Sequence, residues 1–517
     1  MVILILSIFF LFFPLRFAWS PVLPLRVSPT FVSEIKILKD VFNEGIKNII
    51  LGSGPGTFIF DYSKYRSPLL NLTLFWGTRF SSGSSEFLDW FITKGMLVGL
   101  TLFFLLGFLV YSAFKMLAKR EDPFGMKLGL SASAIAIIGI GFLSPFNFSL
   151  WFTFWVIFGG LSFYNSKEKQ INLSFPSSRV GFAIFISLII ILSLVLLVFQ
   201  GQKYFAQINY SKGIEFSQKR DIDQAINYIQ IATNLDSSID IYWRDLAQLY
   251  LLKANLVSQD KKLKEEEKRQ LVHQAITNGI QSLNQSINVS PFNVANWNVR
   301  GFFYRSLIGI QGMEEIALES YRKAIELEPA SPFAYGEIGR VYILIAQDFK
   351  QKQLEKGKEE ALSLSIRNLE KAIELKPDYV PAHYLLAVAY DQQGKEEEAI
   401  SRLEKIRKTL PQDVGISFQL GMLYWRKEKW NEAQKEFEAT IKLNPNNSNA
   451  RYMLGLVYNK KGENDKAKEQ FEKVAQLNPD NQTVKKILEN LKKGLPALEG
   501  IILTQPPIEE IPPEIQK

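Results

Sequence analysis

Apolar residues follow two different patterns along this chain. Over the first 200 residues they form long unbroken runs, and beyond residue 203 they recur at helical spacing among charged side chains. The runs Gly95–Phe114, Leu128–Pro145, Phe148–Tyr164 and Val180–Phe199 are each long enough, or nearly so, to cross about 30 Å of hydrocarbon, and each predicts an apolar helix. Val2–Trp19 is apolar too, but Pro14 and Arg16 interrupt it. It has no basic stretch at its start and no A-x-A-like cleavage site at its end, so a membrane helix, or the remnant of a longer domain, is expected there in preference to a cleaved signal. Ser33–Ile50 places Ile35, Leu38, Phe42, Ile46 and Ile49 on one face, with Ser33 as the expected N-cap. That face is expected to pack on the membrane helices or to lie at the bilayer surface.

In the second half Pro377, Pro411, Pro445 and Pro479 follow one another at about 34 residues. Gly421, Tyr424, Ala433 and Phe437 return one period later as Gly455, Tyr458, Ala467 and Phe471, and Ala387, Tyr390, Ala399 and Leu403 precede them. Small residues at these places let two antiparallel helices approach, aromatic residues are expected to fill the gap between neighbouring pairs, and proline ends the second helix. The pattern resembles a tetratricopeptide array. Weaker units are marked by Gly339, Tyr342, Leu369 and Ala372, then by Ala317, Tyr321, Ala324 and Pro329, then by Leu283, Ser286 and Pro291; Tyr204–Ser237 forms the first. Two charged segments, Gln259–Gln270 and Asp348–Glu360, absorb the extra length of the early units as helix extensions with solvated i,i+4 pairs.

The expected fold class is therefore all-α: multi-pass transmembrane helices followed by a tetratricopeptide (TPR) α-solenoid. In domains, residues 1–20 are expected to form a membrane helix or remnant, 21–94 an extracytoplasmic loop, 95–199 four transmembrane helices, 203–495 the solenoid, and 496–517 a Pro-rich tail that is disordered or polyproline-like.

Charge adds an orientation. Residues 1–200 carry 16 Lys/Arg against 9 Asp/Glu, so nearly all of the net +8 lies beside the apolar runs. That placement speaks for membrane orientation rather than for a nucleic-acid partner. Lys115, Lys119, Arg120 and Lys127 fill one short loop and Lys167, Lys169 and Arg179 another, while Ser144–Asn147 carries no basic residue. By the positive-inside rule the basic loops are cytoplasmic, and residues 20–94 and the repeats are extracytoplasmic. With no cysteine, disulfides, thiol catalysis and cysteine-ligated metals are excluded. His273 and His383 stand apart inside the repeats, so neither a metal nor a cofactor is expected.

The loop holds the candidate chemistry. Gly52-Ser53-Gly54-Pro55-Gly56-Thr57-Phe58 lacks the Gly-Lys-Ser/Thr of a phosphate loop and has no βαβ context, and reads as a helix-ending turn. Then come Lys64, Tyr65 and Arg66, later Arg79, and finally Ser84-Ser85-Glu86-Phe87-Leu88-Asp89 leading into the apolar run at Gly95. Together these resemble the outward loop of the O-antigen ligase/polymerase family, membrane glycosyltransferases of the bacterial plasma membrane that act on polyprenyl-diphosphate-linked glycans.

The resemblance implies catalytic roles for Arg66, Arg79 and Asp89, substrate contacts for Lys64, Gly54 and Gly56, a lipid-linked glycan as partner, and glycan transfer without a metal. Arginine's fork suits the charge growing on a departing diphosphate. Two departures matter. Ser84 and Ser85 stand where the family shows His-Asn, and at most one span precedes the loop where family members have many. A second reading stays open beside the enzyme: a non-catalytic, membrane-anchored scaffold whose repeat groove binds a protein. Asn296, Asn298, Arg300, Asn449 and Arg451, on first helices of their units, are the candidate partner contacts.

Overall fold

The computed structural model describes residues 27–118, 124–165, 179–260, 262–479 and 481–501. The expected helix at Val2–Trp19, the loop cations Lys119, Arg120, Lys167 and Lys169, and residues 502–517 of the tail lie outside these ranges. Among the described residues all regular structure is helical, and the chain divides into two compact units. One holds the residues up to Arg300 together with Glu326–Ala330; the other holds Gly301–Ile325 and the residues from Ser331 onward.

The first unit opens with three short helices, α1 (Phe31–Asn43), α2 (Ile46–Leu51) and α3 (Phe58–Tyr65). Thr30, not Ser33, caps α1: its side chain accepts the Ser33 N–H at 3.2 Å. Ile37 and Val41 are fully buried against Phe58, Tyr62 and Ile92, with Leu38 and Phe42 packed beside them. The expected single amphipathic stretch breaks at Gly45, whose φ of 146° a side chain would resist, so Ile46 and Ile49 leave the packed face and are exposed.

Four apolar helices follow: α4 (Glu86–Ala118), α5 (Phe124–Leu143), α6 (Phe148–Asn165) and α7 (Arg179–Gln218). By length and composition α4, α5 and α7 are long and apolar enough to cross a membrane, while the apolar stretch of α6, Phe148–Tyr164, is shorter. Leu102, Leu106 and Leu109 of α4 are buried with Ala134 and Ile137 of α5 and with Phe154, Ile157 and Leu161 of α6. In α7 the apolar half is exposed along its length. The helix does not stop where the apolar run ends, and its last turns carry Ala206, buried against Ile222 and Ile229 of the helix Ile222–Leu235. One 40-residue helix thus carries both the apolar segment and a stretch that packs against the helix Ile222–Leu235.

Further helices of this unit are Ile222–Leu235, Asp240–Gln259 and Glu265–Val289. In the second unit the pairs are Pro332–Gln351 with Glu355–Leu375, Val380–Gln392 with Glu396–Thr409, Val414–Arg426 with Trp430–Leu443, and Ser448–Lys460 with Asn464–Leu477, closed by Gln482–Lys492. Each of the four evenly spaced prolines sits just past a second helix. The charged segments lengthen the helices beside them but also contain the turns between those helices, and their ion pairs include Lys268–Glu265 and Lys358–Glu355 at i,i+3 and Lys352–Asp348 at i,i+4. Asp348–Glu360 lengthens its pair to 20 and 21 residues, against 13 and 14 in the last pairs.

The repeat chemistry is visible atom by atom. A Cβ on Gly421 would stand 2.6 Å from the Phe437 ring and one on Gly455 2.8 Å from that of Phe471, so each aromatic fills space within its own pair rather than between neighbours. Neighbouring pairs are joined instead by Tyr424, whose hydroxyl donates to Glu404 at 2.5 Å, and by Tyr458, which donates to Glu438 at 2.8 Å. Asp413, Asn447 and Asn481 recur as N-caps, accepting from the Ile416, Ala450 and Val484 amides at 2.8, 2.8 and 3.1 Å.

Gly455→Val tests the close approach. Overpacking of this kind costs about 1–3 kcal/mol, so the urea midpoint of the variant in detergent is expected to fall with the slope unchanged. An unaltered midpoint would mean that Phe471 has room that the geometry denies it.

Candidate functional site

The glycine turn of the loop is built into a break in α4. At Gly95 φ is 72°, outside the helical region, and at Gly52 it is 69°. The two backbones touch: a Cβ on Gly52 would lie 2.5 Å from the Gly95 nitrogen, and one on Gly95 2.4 Å from the Ile50 carbonyl. A helix that stops leaves carbonyls without donors. Here the Ser53 amide donates to the Ile92 carbonyl at 3.1 Å and the Gly54 amide to that of Thr93 at 2.8 Å. Gly54 therefore caps a broken helix with its backbone, while Gly56, at φ 77°, turns the chain into α3.

Carboxylates gather around this junction. Ser53 Oγ donates to Asp61 at 2.5 Å, and burial still pushes the Asp61 carboxyl up to about 6. Glu34, with no exposed surface, accepts from the Ser84 amide at 2.9 Å, the Ser84 hydroxyl at 2.6 Å and the Ser85 amide at 3.2 Å. Its pKa is raised by burial, against those donors. Ser84 and Ser85 are thus held by a carboxylate at the start of α4. Glu86 accepts from Trp90 at 2.8 Å and from the Phe146 amide at 2.6 Å, fixing α4 to the turn before α6. Asp89 is half-buried, and its Oδ1 has no hydrogen-bond partner among the described residues. Among those residues no group of three or more His, Asp or Glu side chains is placed to hold a metal.

The loop cations point elsewhere. Arg79 grips Glu328 with both arms, Nη2 to Oε2 at 2.5 Å and Nε to Oε1 at 3.3 Å. Arg66, whose side chain is 1% exposed, reaches Glu328 Oε1 at 3.3 Å and donates to the Trp76 carbonyl at 2.7 Å. Asn71, fully buried, donates to the Ala330 carbonyl at 2.7 Å. Glu328 lies 249 residues beyond Arg79, in the Glu326–Ala330 turn that completes this unit, and no local signal marks it. Lys64 pairs with Glu44.

The expected partner contacts separate by role. Asn296 is fully buried, donating to Asp240 at 2.8 Å and to the Ser286 carbonyl at 2.9 Å, which makes it a structural residue. Arg300 lies beside the Trp297 ring, 5.7 Å from its centroid. Asn449 is half-buried, as is Arg451, which donates to the Pro445 carbonyl at 2.9 Å and to Gln470 at 3.0 Å.

A groove that these residues do not touch lies in the second unit, with a volume of about 740 Å³. Tyr335, Ile338, Tyr342 and Leu364 are among its apolar lining, and Arg322 and Arg367 among its charges. Of the other charges there, Lys371 pairs with Glu374 at 2.8 Å, and Glu370 with Arg402 at 3.1 Å. Arg322 and Arg367 have no acidic partner among the described residues, which leaves the groove with surplus positive charge.

Comparison with known proteins agrees with this repeat geometry. Residues 418–482 match a family model described as tetratricopeptide repeat, and residues 358–415 match a second of the same description. This stretch is tetratricopeptide repeat. Among solved structures, a tetratricopeptide repeat protein from Parabacteroides merdae is 16% identical, with 56% of this chain and 99% of that one covered at a TM-score of 0.39. YrrB, described as a TPR protein with an unusual peptide-binding site, is 22% identical, with 41% of this chain and 97% of that one covered at a TM-score of 0.28. No curated protein matches the chain.

Two measurements probe the loop. Glu328→Gln leaves two guanidinium groups without their carboxylate, a loss on the order of 3 kcal/mol for a buried pair. Trypsin is then expected to cut after Arg66 and Arg79 much faster than in the parent protein, and equal rates would show that the pairing does not hold the loop. The Asp61 carboxyl binds its proton more tightly folded than unfolded, so its contribution to stability is largest below the unfolded value near 3.8 and is lost as pH rises through about 6. After correction for intrinsic rates, amides of α3 should exchange faster at pH 7 than at pH 5, and Asp61→Asn should shrink the difference. Equal protection at both pH values would contradict the burial of this carboxyl.

Proposed function

We propose that this protein is a membrane-anchored scaffold whose tetratricopeptide repeats bind a protein partner. The observation that carries the reading is the continuity of α7, in which an exposed apolar segment runs without a break into the first helix of the repeats. Ligand energy acting on the repeats has a stiff connection to the anchor. Tetratricopeptide repeats present extended surfaces for peptides and helices, as the description of YrrB's peptide-binding site illustrates for that protein. In this chain the 740 Å³ groove with Arg322 and Arg367 favours an acidic segment carrying an apolar side chain.

Glycan transfer from a polyprenyl diphosphate fits the geometry less well. Arg66 and Arg79 would have to leave Glu328 to meet a phosphate, uncovering a carboxylate that is 4% exposed. The positive-inside argument orients the repeats away from the cytoplasm in this proposal.

The test uses the full chain in its native membrane. Crosslinking should give a defined protein adduct in the membrane fraction, and the double variant Arg322→Glu with Arg367→Glu should lose it. The same adduct in both proteins would move the binding surface away from this groove, and recovery of the chain only in the soluble fraction would refute the anchor.

A further inference from the structure

We infer that α2, Ile46–Leu51, is a membrane-interface wedge, lying among lipid headgroups and upper acyl chains beside α4. The inference rests on the reading of α4 as a membrane span.

Depth comes from the glycine contact. Gly52, directly after α2, is pressed against Gly95, so the end of α2 lies at the level of the break in α4. The same level is where α4 changes character. Glu86, Asp89 and Lys94 precede the break, and from Met96 through Phe114 the helix has no charged residue. Trp90 and Trp151 stand 5.3 Å apart on the charged side of this level, with the Lys94 ammonium 3.6 Å above the Trp90 ring. Tryptophan and lysine in this arrangement mark the boundary between headgroups and hydrocarbon.

The surface at that depth is apolar and uncovered. Ile46 is 75% exposed, Ile50 45% and Leu51 52%, and Leu97, the second residue past the break, is 58% exposed on α4. These side chains extend the outward apolar surface of α4 up to α2. No residue of this six-residue helix is buried, and Ile46, Ile49 and Ile50 share one side of it at i, i+3 and i+4. Lys47, exposed on the same turn, has the long apolar stem and cationic tip that reach from hydrocarbon to lipid phosphate. A lipid surface is the occupant that this combination suits: apolar residues at interface depth, one cation among them, and continuity with a lipid-facing helix.

Because the chain contains no cysteine, single nitroxide labels can be placed without altering any other residue. Ile50→Cys and Ile46→Cys report on the wedge, Phe104→Cys on the outward side of α4, and Lys36→Cys on the aqueous side of the loop. Each is reconstituted as the full chain in phosphatidylcholine–phosphatidylglycerol vesicles, and collision with oxygen is compared with collision with a water-soluble nickel chelate. Labels at both wedge positions are expected to show severalfold less nickel collision than Lys36→Cys, at a depth shallower than Phe104→Cys. Wedge labels as open to nickel as Lys36→Cys, with Phe104→Cys protected, would overturn the wedge and leave the span standing. A Phe104→Cys label open to nickel would overturn the span itself.

Discussion

Two glycines without side chains, Gly52 and Gly95, permit a backbone contact on which the arrangement of α1 to α4 in the first unit depends. Either Cβ would enter the other strand of chain at about 2.5 Å, and both residues hold φ near 70°, where other residues are strained. The break in α4 exposes carbonyls, and the loop supplies the amides they lack. Everything nearby inherits its place from that exchange. Asp61 is drawn to Ser53, Glu34 closes over Ser84 and Ser85, and α2 is set against the apolar part of α4. A cluster of buried carboxylates is tolerated because amides, hydroxyls and an indole donate to it.

The repeats depend on a different economy of space. There the small residue belongs to the first helix and the aromatic to the second helix of the same pair, while tyrosine hydroxyls and glutamates link one pair to the next. Because these links repeat, each pair is stabilised mainly by its neighbours. In the first unit the apolar helix α7 runs on to Gln218 and buries Ala206 against Ile222 and Ile229, so that the apolar segment and the packing of the helix Ile222–Leu235 share one element.

Much of this was legible in the sequence, and the limits have physical causes. The 34-residue ladder of Pro377, Pro411, Pro445 and Pro479 marked the repeat boundaries because proline cannot continue a helix, and charged Asp348–Glu360 was read as added helix because its polarity had no buried face to serve. The apolar runs mark the helices α4 to α7, but hydropathy does not show that α7 continues to Gln218, since an amphipathic continuation carries no stop signal. Gly45 sits inside an apolar periodicity that continues across it, so the sequence pattern carries no sign of the separation of α2 from α1. Arg66 and Arg79 were conspicuous in the loop, yet their partner Glu328 lies hundreds of residues away, and pairing at that separation leaves no trace in local pattern. The resemblance to an O-antigen ligase loop rested on those arginines and on the glycine turn. In the structure the arginines meet a carboxylate and the turn meets a helix end.

The most direct test of the interlock is amide hydrogen exchange at Ser53 and Gly54 in the full chain held in lipid nanodiscs. If their N–H groups cap the broken helix, both exchange slowly, at rates on the order of a hundredfold or more below those of an open turn. Exchange at the open-turn rate would show that the loop rests on α4 without being joined to it, and the placement of the carboxylates, the arginines and α2 would fall with that contact.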